Sequence, residues 1–197
     1  MRSVVANLDL ITEMPQLRAL QICYGHVVIS KLGSRNKPGT SRGDQMDNRA
    51  LALKLVLDHL DTTDISTVED RMEVQKAIYL AQAAGVSLGY SYGWYVKGPY
   101  SPALTRDYYG LGSEDGQSAK LKSSAVEKLN RVKALMAAPI DGLRRPQKLE
   151  LLASLHYLLR QSGMSEATAK KRITATKPHL SAFSNRGIEL LREYSLV

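Results

Sequence analysis

The chain has 197 residues, 44% of them apolar, enough for one domain with a real core, or one domain plus an arm. Twenty-seven basic against nineteen acidic residues give a net charge of +8, a balance compatible with nucleic-acid contact without requiring it. Cys23 is the single cysteine, so no internal disulfide forms; no apolar run reaches the roughly 20 residues that span a bilayer, and Asp9 interrupts any signal-like start, so a soluble cytoplasmic protein is expected.

In chain order, a β-like run at Tyr24–Ile29 precedes residues 33–45, rich in Gly, Ser, Asn, Pro and charge, a linker composition. Residues 1–45 therefore read as an arm and linker, for which an over-extended start of the reading frame is one account, and 46–197 as the compact domain. Asp47 is a good cap for a helix to about Leu60, with Leu53, Val56, Leu57 and Leu60 on one stripe. Ser66-Thr67-Val68-Glu69 predicts a capping box opening a helix that carries Val74, Ala77, Ile78 and Ala81 inward and stops at Gly85. Tyr90–Val96 predicts a strand that runs into a Gly98-Pro99 corner. Ser101-Pro102 opens a helix to Gly110, since proline at the first helical position lacks an amide that had no partner anyway. After a polar loop at 114–118, a helix runs from Leu121 to Met136. Another starts at Pro146 and ends at Gly163, a third is capped by Ser165 and closed by Lys177-Pro178, and a last begins near Ser181. The fold class is mainly α: a compact helical domain with one short β-strand or hairpin region, for which a winged-helix-like arrangement is one form.

Two features suggest function. Residues 90–109 hold seven of the twelve aromatics, and tyrosine and tryptophan dominate interface hot spots. Trp94, Tyr95 and Tyr100, rimmed by Lys97, Arg106 and Asp107, are the candidate partner-binding residues. The competing reading is that the aromatics pack the strand onto the helix holding Ala77 and Tyr79, and that the charges are merely solvated. The second feature is charge: residues 144–177 hold eight basic residues against Glu150 and Glu166. The helices on either side of Ser162-Gly163 have helix-turn-helix spacing, which would set Thr168, Lys170, Lys171 and Arg172 against nucleic acid. A generic helical hairpin with a solvated basic face reads the same way.

Enzymatic signals are poor. His26, His59, His156 and His179 are far apart with no carboxylate or cysteine at ligand spacing, and the chain has neither a phosphate-loop motif nor an HExxH helix. Cys23 lacks a recognisable activating base. No cofactor, no metal and no catalytic residue is expected.

The helix Glu69-Asp70-Arg71-Met72-Glu73-Val74-Gln75-Lys76-Ala77-Ile78-Tyr79-Leu80-Ala81-Gln82, followed by Trp94 and Gly98-Pro99-Tyr100-Ser101-Pro102-Ala103-Leu104, resembles the bacterial YwgA-like proteins from about Met46 onward. More distantly it is similar to the Panacea domain of SocA- and GepA-type proteins, although that family has a GPV corner and an LYYA helix. The resemblance implies a non-enzymatic protein-interaction domain, an antitoxin or phage-defence-associated regulator whose partner is a protein such as a toxin. The alternative is a DNA-binding regulator using the basic 165–177 helix. Oligomeric state stays open.

Overall fold

A computed structural model describes residues 29–31, 42–111 and 119–197, with side chains from Asn48 onward in the first helix. In chain order it contains strand β1 (Ile29–Lys31), helices α1 (Arg42–His59) and α2 (Val68–Ala83), strands β2 (Gly93–Tyr95) and β3 (Gly98–Tyr100), and helix α3 (Pro102–Tyr109). Strand β4 (Ala119–Leu121) and helices α4 (Ser123–Ala137), α5 (Arg145–His156), α6 (Glu166–Thr176) and α7 (Ser184–Glu193) follow. The mainly helical architecture is as the sequence predicts. The residues of Tyr24–Ile29 before Ile29, Cys23, His26, most of the proposed linker and the 114–118 loop lie outside the described residues.

Helix α2 starts at a capping box one residue later than the sequence suggests. Thr67 accepts from the Asp70 amide at 3.1 Å, and Asp70 accepts from the Thr67 amide at 2.9 Å. Ser66 is not free to cap, because its amide and hydroxyl both go to Asp64. At the far end Gly85, with φ +89°, supplies the left-handed stop. Helix α5 begins at Arg145-Pro146 and continues through a π-helical turn, Tyr157–Gln161. Helix α6 is capped by Ser165, whose hydroxyl accepts from the Thr168 amide.

The core is organised around α2 and α5. Every residue from Val74 to Ala81 and from Lys148 to His156 is buried, so both helices are enclosed on all sides rather than along one stripe. Leu53, Val56, Leu57 and Leu60 of α1, Leu129, Val132 and Leu135 of α4, and Ile188 and Leu191 of α7 complete it.

Four elements differ from expectation. Helix α1 starts at Arg42, inside the proposed linker. The predicted strand is instead a hairpin, β2 antiparallel to β3, with Trp94 opposite Pro99 and Tyr95 opposite Gly98. Leu121 belongs to a strand, not to the following helix, and β4 pairs antiparallel with β1, Ile29 opposite Leu121. Before α7 the chain makes a 3₁₀ turn over Pro178–Phe183, so the helix proper begins at Ser184.

Candidate functional site

The Gly98-Pro99 corner is fixed by polar side chains from the two central helices. Gln75 and Gln82, two helical turns apart on α2, each grip an extended backbone position with both amide atoms. Gln82 accepts from the Tyr90 amide and donates to its carbonyl, both at 2.9 Å. Gln75 accepts from the Ser101 amide at 2.9 Å and donates to its carbonyl at 3.0 Å and to Thr105 Oγ1 at 2.9 Å. The two glutamines act as paired rungs holding both ends of the 90–101 segment.

Between them two lysines reach the turn itself. Lys76 Nζ on α2 donates to the Pro99 carbonyl at 2.7 Å, and Lys177 Nζ donates to the Val96 carbonyl at 2.5 Å. Lys177 also pairs with Glu150 Oε1 of α5 at 2.6 Å, with both side chains buried. Lys97 lies 3.7 Å from the other Glu150 oxygen and is 61% exposed. Burial pulls the Lys76 pKa down to about 7; Glu150 resists that shift while Lys177 and Lys97 add to it.

Behind the hairpin, Trp94 is half-buried against Tyr157 of the π-helical turn, ring centroids 5.7 Å apart, and the Lys177 ammonium stands 5.6 Å from its ring centre. Tyr79 and Tyr92 meet edge to face at 5.0 Å. The Tyr79 hydroxyl and His156 Nδ1 are 2.7 Å apart. Burial holds the phenol well above its ordinary pKa, so Tyr79 keeps its proton and donates, while burial pulls the His156 pKa down to about 4.

The sequence-selected residues divide between surface and interior. Tyr95 and Lys97 are exposed at the hairpin, and Tyr95 packs edge to face on Tyr100 at 5.1 Å. The Tyr100 hydroxyl accepts from Thr105. Arg106 is exposed on α3, away from the strand pairing. Asp107 is committed internally: Arg49 lies 2.7 Å away, and Tyr90 donates to the same carboxylate oxygen at 2.9 Å. In the basic segment Thr168, Lys171 and Arg172 are exposed and Lys170 is half-buried, but Lys177 is 1% exposed and faces inward. His156 is core, as is Tyr79.

Sequence reasoning missed Gln75, Lys76, Glu150 and Lys177 as a group. The available signal was Gln75-Lys76 and Glu150 standing inside apolar stretches of α2 and α5; nothing local marks Lys177, which follows α6.

Among the described residues, two hollows at the surface lie away from the corner. One, about 200 Å³, is lined by Gln82, Gly85, Ser87, Gly89 and Tyr90. The other, about 210 Å³, is lined by Asp61, Thr62, Thr63, Asp64, Asp70, Glu73 and Arg145. Asp61 is paired with Lys133 at 2.7 Å and Glu73 with Arg145 at 2.8 Å. Hydrogen bonds from Lys133 to Asp61 and from Ser66 to Asp64 hold both carboxyls below their ordinary pKa, so they are ionised. Among the described residues no group of three or more His, Cys, Asp or Glu is placed to hold a metal ion, and no helix is long and apolar enough to cross a membrane.

The chain matches no protein-family profile. Over 140 residues it is 28% identical to a protein of Thermus aquaticus named DNA ADP-ribosyl glycohydrolase. The match takes in 61% of this chain and 39% of that relative, so the chain spans well under half of the relative's length. This finding corrects the sequence reading. The expected kinship with YwgA-like proteins and the Panacea domain gives way to likeness with a protein of an enzyme family. The expectation of a non-enzymatic interaction domain, antitoxin or defence regulator, with a DNA-binding regulator as its alternative, falls with it, because the relative is named for a catalysed reaction. The miss arose because the expectation took its function from that resemblance, with the absence of familiar catalytic motifs as its support, and a site without a short sequence motif is silent to both.

Proposed function

We propose that this chain takes part in the hydrolytic removal of ADP-ribose from DNA. The observation that carries this reading is the 140-residue likeness to a protein named for that reaction. Cleavage of a glycosidic bond passes through an oxocarbenium-like transition state, which ionised carboxylates stabilise and for which they activate water. Among the described residues, the hollow lined by Asp61, Asp64, Asp70 and Glu73 is where solvent-facing carboxylates gather, and Arg145 and Lys133 moderate its charge toward an anionic substrate. Exposed Lys171 and Arg172, with Lys170 and Thr168, form the surface we assign to the DNA backbone.

The test is an oligonucleotide carrying ADP-ribose on one base, incubated with the chain, with free ADP-ribose measured by chromatography. Release is expected, and Asp64→Asn is expected to slow it at least about a hundredfold, the lower range for loss of an acid–base group. No release with protein in excess of substrate would overturn the reading. An unchanged rate in Asp64→Asn would remove Asp64 from the chemistry, and unchanged rates in Asp61→Asn, Asp70→Asn and Glu73→Gln as well would remove the hollow.

A further inference from the structure

The turn between β2 and β3 is fastened from beneath by charges that do not balance. Three ammonium groups, Lys76, Lys97 and Lys177, face one carboxylate, Glu150. They are not equivalent. Lys97 is largely in solvent, and Lys177 touches Glu150 directly. Lys76 is 1% exposed, and its hydrogen-bond partner among the described residues is a neutral carbonyl, that of Pro99. A buried cation lacking a contacting counter-ion sheds its proton more readily than one in water.

We propose that Lys76 is a proton switch for the β2–β3 turn, holding it more firmly as a neutral amine than as an ammonium. On deprotonation the proton passes to bulk solvent, the amine keeps an N–H for the Pro99 carbonyl, and repulsion of Lys177 and Lys97 falls away while Glu150 stays on Lys177. The sign follows from linkage. In the closed turn the pKa of Lys76 is about 7, whereas an opened turn returns it to water and the ordinary 10.5. Between those values opening takes up a proton, so the turn tightens as pH rises, by up to about tenfold per pH unit for one proton, and below pH 7 its hold levels off. The groups facing Lys76 from neighbouring elements are Glu150 on α5, Lys177 after α6 and Lys97 in the turn; the α5 imidazole, His156, is engaged with Tyr79. The exposed tip, Tyr95-Val96-Lys97, is therefore presented in one fixed shape above neutral pH and loosened below it.

Amide hydrogen exchange across residues 93–100 of the unaltered protein tests this between pH 6 and 9. Protection is expected to rise at least fivefold from pH 7 to 9 while that of α4 stays level; equal behaviour of the two segments would overturn the proposal. Trp94, the sole tryptophan, adjoins the cluster, so its emission should show an inflection near pH 7 that Lys76→Met removes. The same inflection in Lys76→Met would also overturn it. Should that variant fail to fold, a titration of the Lys76 side-chain carbon signal in the native protein decides: a midpoint near 7 supports the switch and one above 9 ends it.

Discussion

At Gly98 the backbone takes a φ of +83°, and a Cβ there would stand 2.3 Å from Ser154 Oγ on α5. Two costs coincide, an unfavourable dihedral and a direct clash, so Gly98→Ala should destabilise by about 2–4 kcal/mol in urea unfolding. Gly89 shares a positive φ of +76° but has no atom within 4 Å of such a Cβ, and Gly89→Ala should cost only about 1 kcal/mol. The pair Lys177–Glu150 offers a second contrast. Lys177→Met leaves the buried Glu150 carboxylate with only the more distant, exposed Lys97 and should cost about 3 kcal/mol, whereas Lys177→Met with Glu150→Leu should recover most of that loss. His156 adds a pH dependence. Its folded pKa of about 4 lies below the unfolded 6.5, so the folded state binds fewer protons and stability falls as pH drops from 6.5 through 4. The loss is on the order of 3 kcal/mol, and His156→Gln should flatten that part of an acid-unfolding profile. Aromatic residues at the corner were legible in the sequence because composition alone concentrates them. The lysines beneath were not, since hydrophobic periodicity treats every charge as outward-facing.

At the scale of elements, the sequence marks helices by their punctuation: Ser101-Pro102, Gly85, Ser165 and Lys177-Pro178 all stand where the structure starts or stops a helix. Three-residue strands carry too little alternation to read, which is why a hairpin passed for one strand and β4 for the first turn of a helix. The capping box slipped by one residue because Asp64 competes for Ser66. Thr67→Ala should therefore cost about 1 kcal/mol in thermal or urea unfolding, and Glu69→Ala, outside the box, far less. The burial of α2 and α5 on every side, beyond the inward stripe that the sequence shows, was hidden for a different reason. Several of their inward polar residues bond to backbone, as Gln75, Lys76, Gln82 and Lys148 do, and such side chains are silent in any apolar count. The π-helical turn leaves no trace in composition, yet it sets Tyr157 against both Trp94 and Tyr79.

Across the whole molecule, formal charge overstates the field offered to a polyanion. Of the eight basic residues between 144 and 177, Lys148 and Lys177 are buried and Arg145 is paired with Glu73. The exposed remainder includes Lys171 and Arg172, the residues we assign to a DNA backbone, and that assignment predicts a salt dependence weakened by charge removal. Replacing Lys170, Lys171 and Arg172 by alanine should lower the slope of log affinity against log salt by up to about 3, near 0.9 for each phosphate no longer neutralised. An unchanged slope would place DNA elsewhere. The missing charge has gone into the chain's own backbone: Lys128 to Gly85, Lys133 to His59, Lys148 to Met136 and Ala138, Lys76 to Pro99 and Lys177 to Val96. Each tethers one segment to the carbonyl end of another. Treating the folded protein with an acylating reagent would consequently sort its amines into two populations, Lys171 and Lys122 marked quickly and Lys76, Lys148 and Lys177 spared until the chain comes apart, so that the order of labelling charts which joints of the fold yield first.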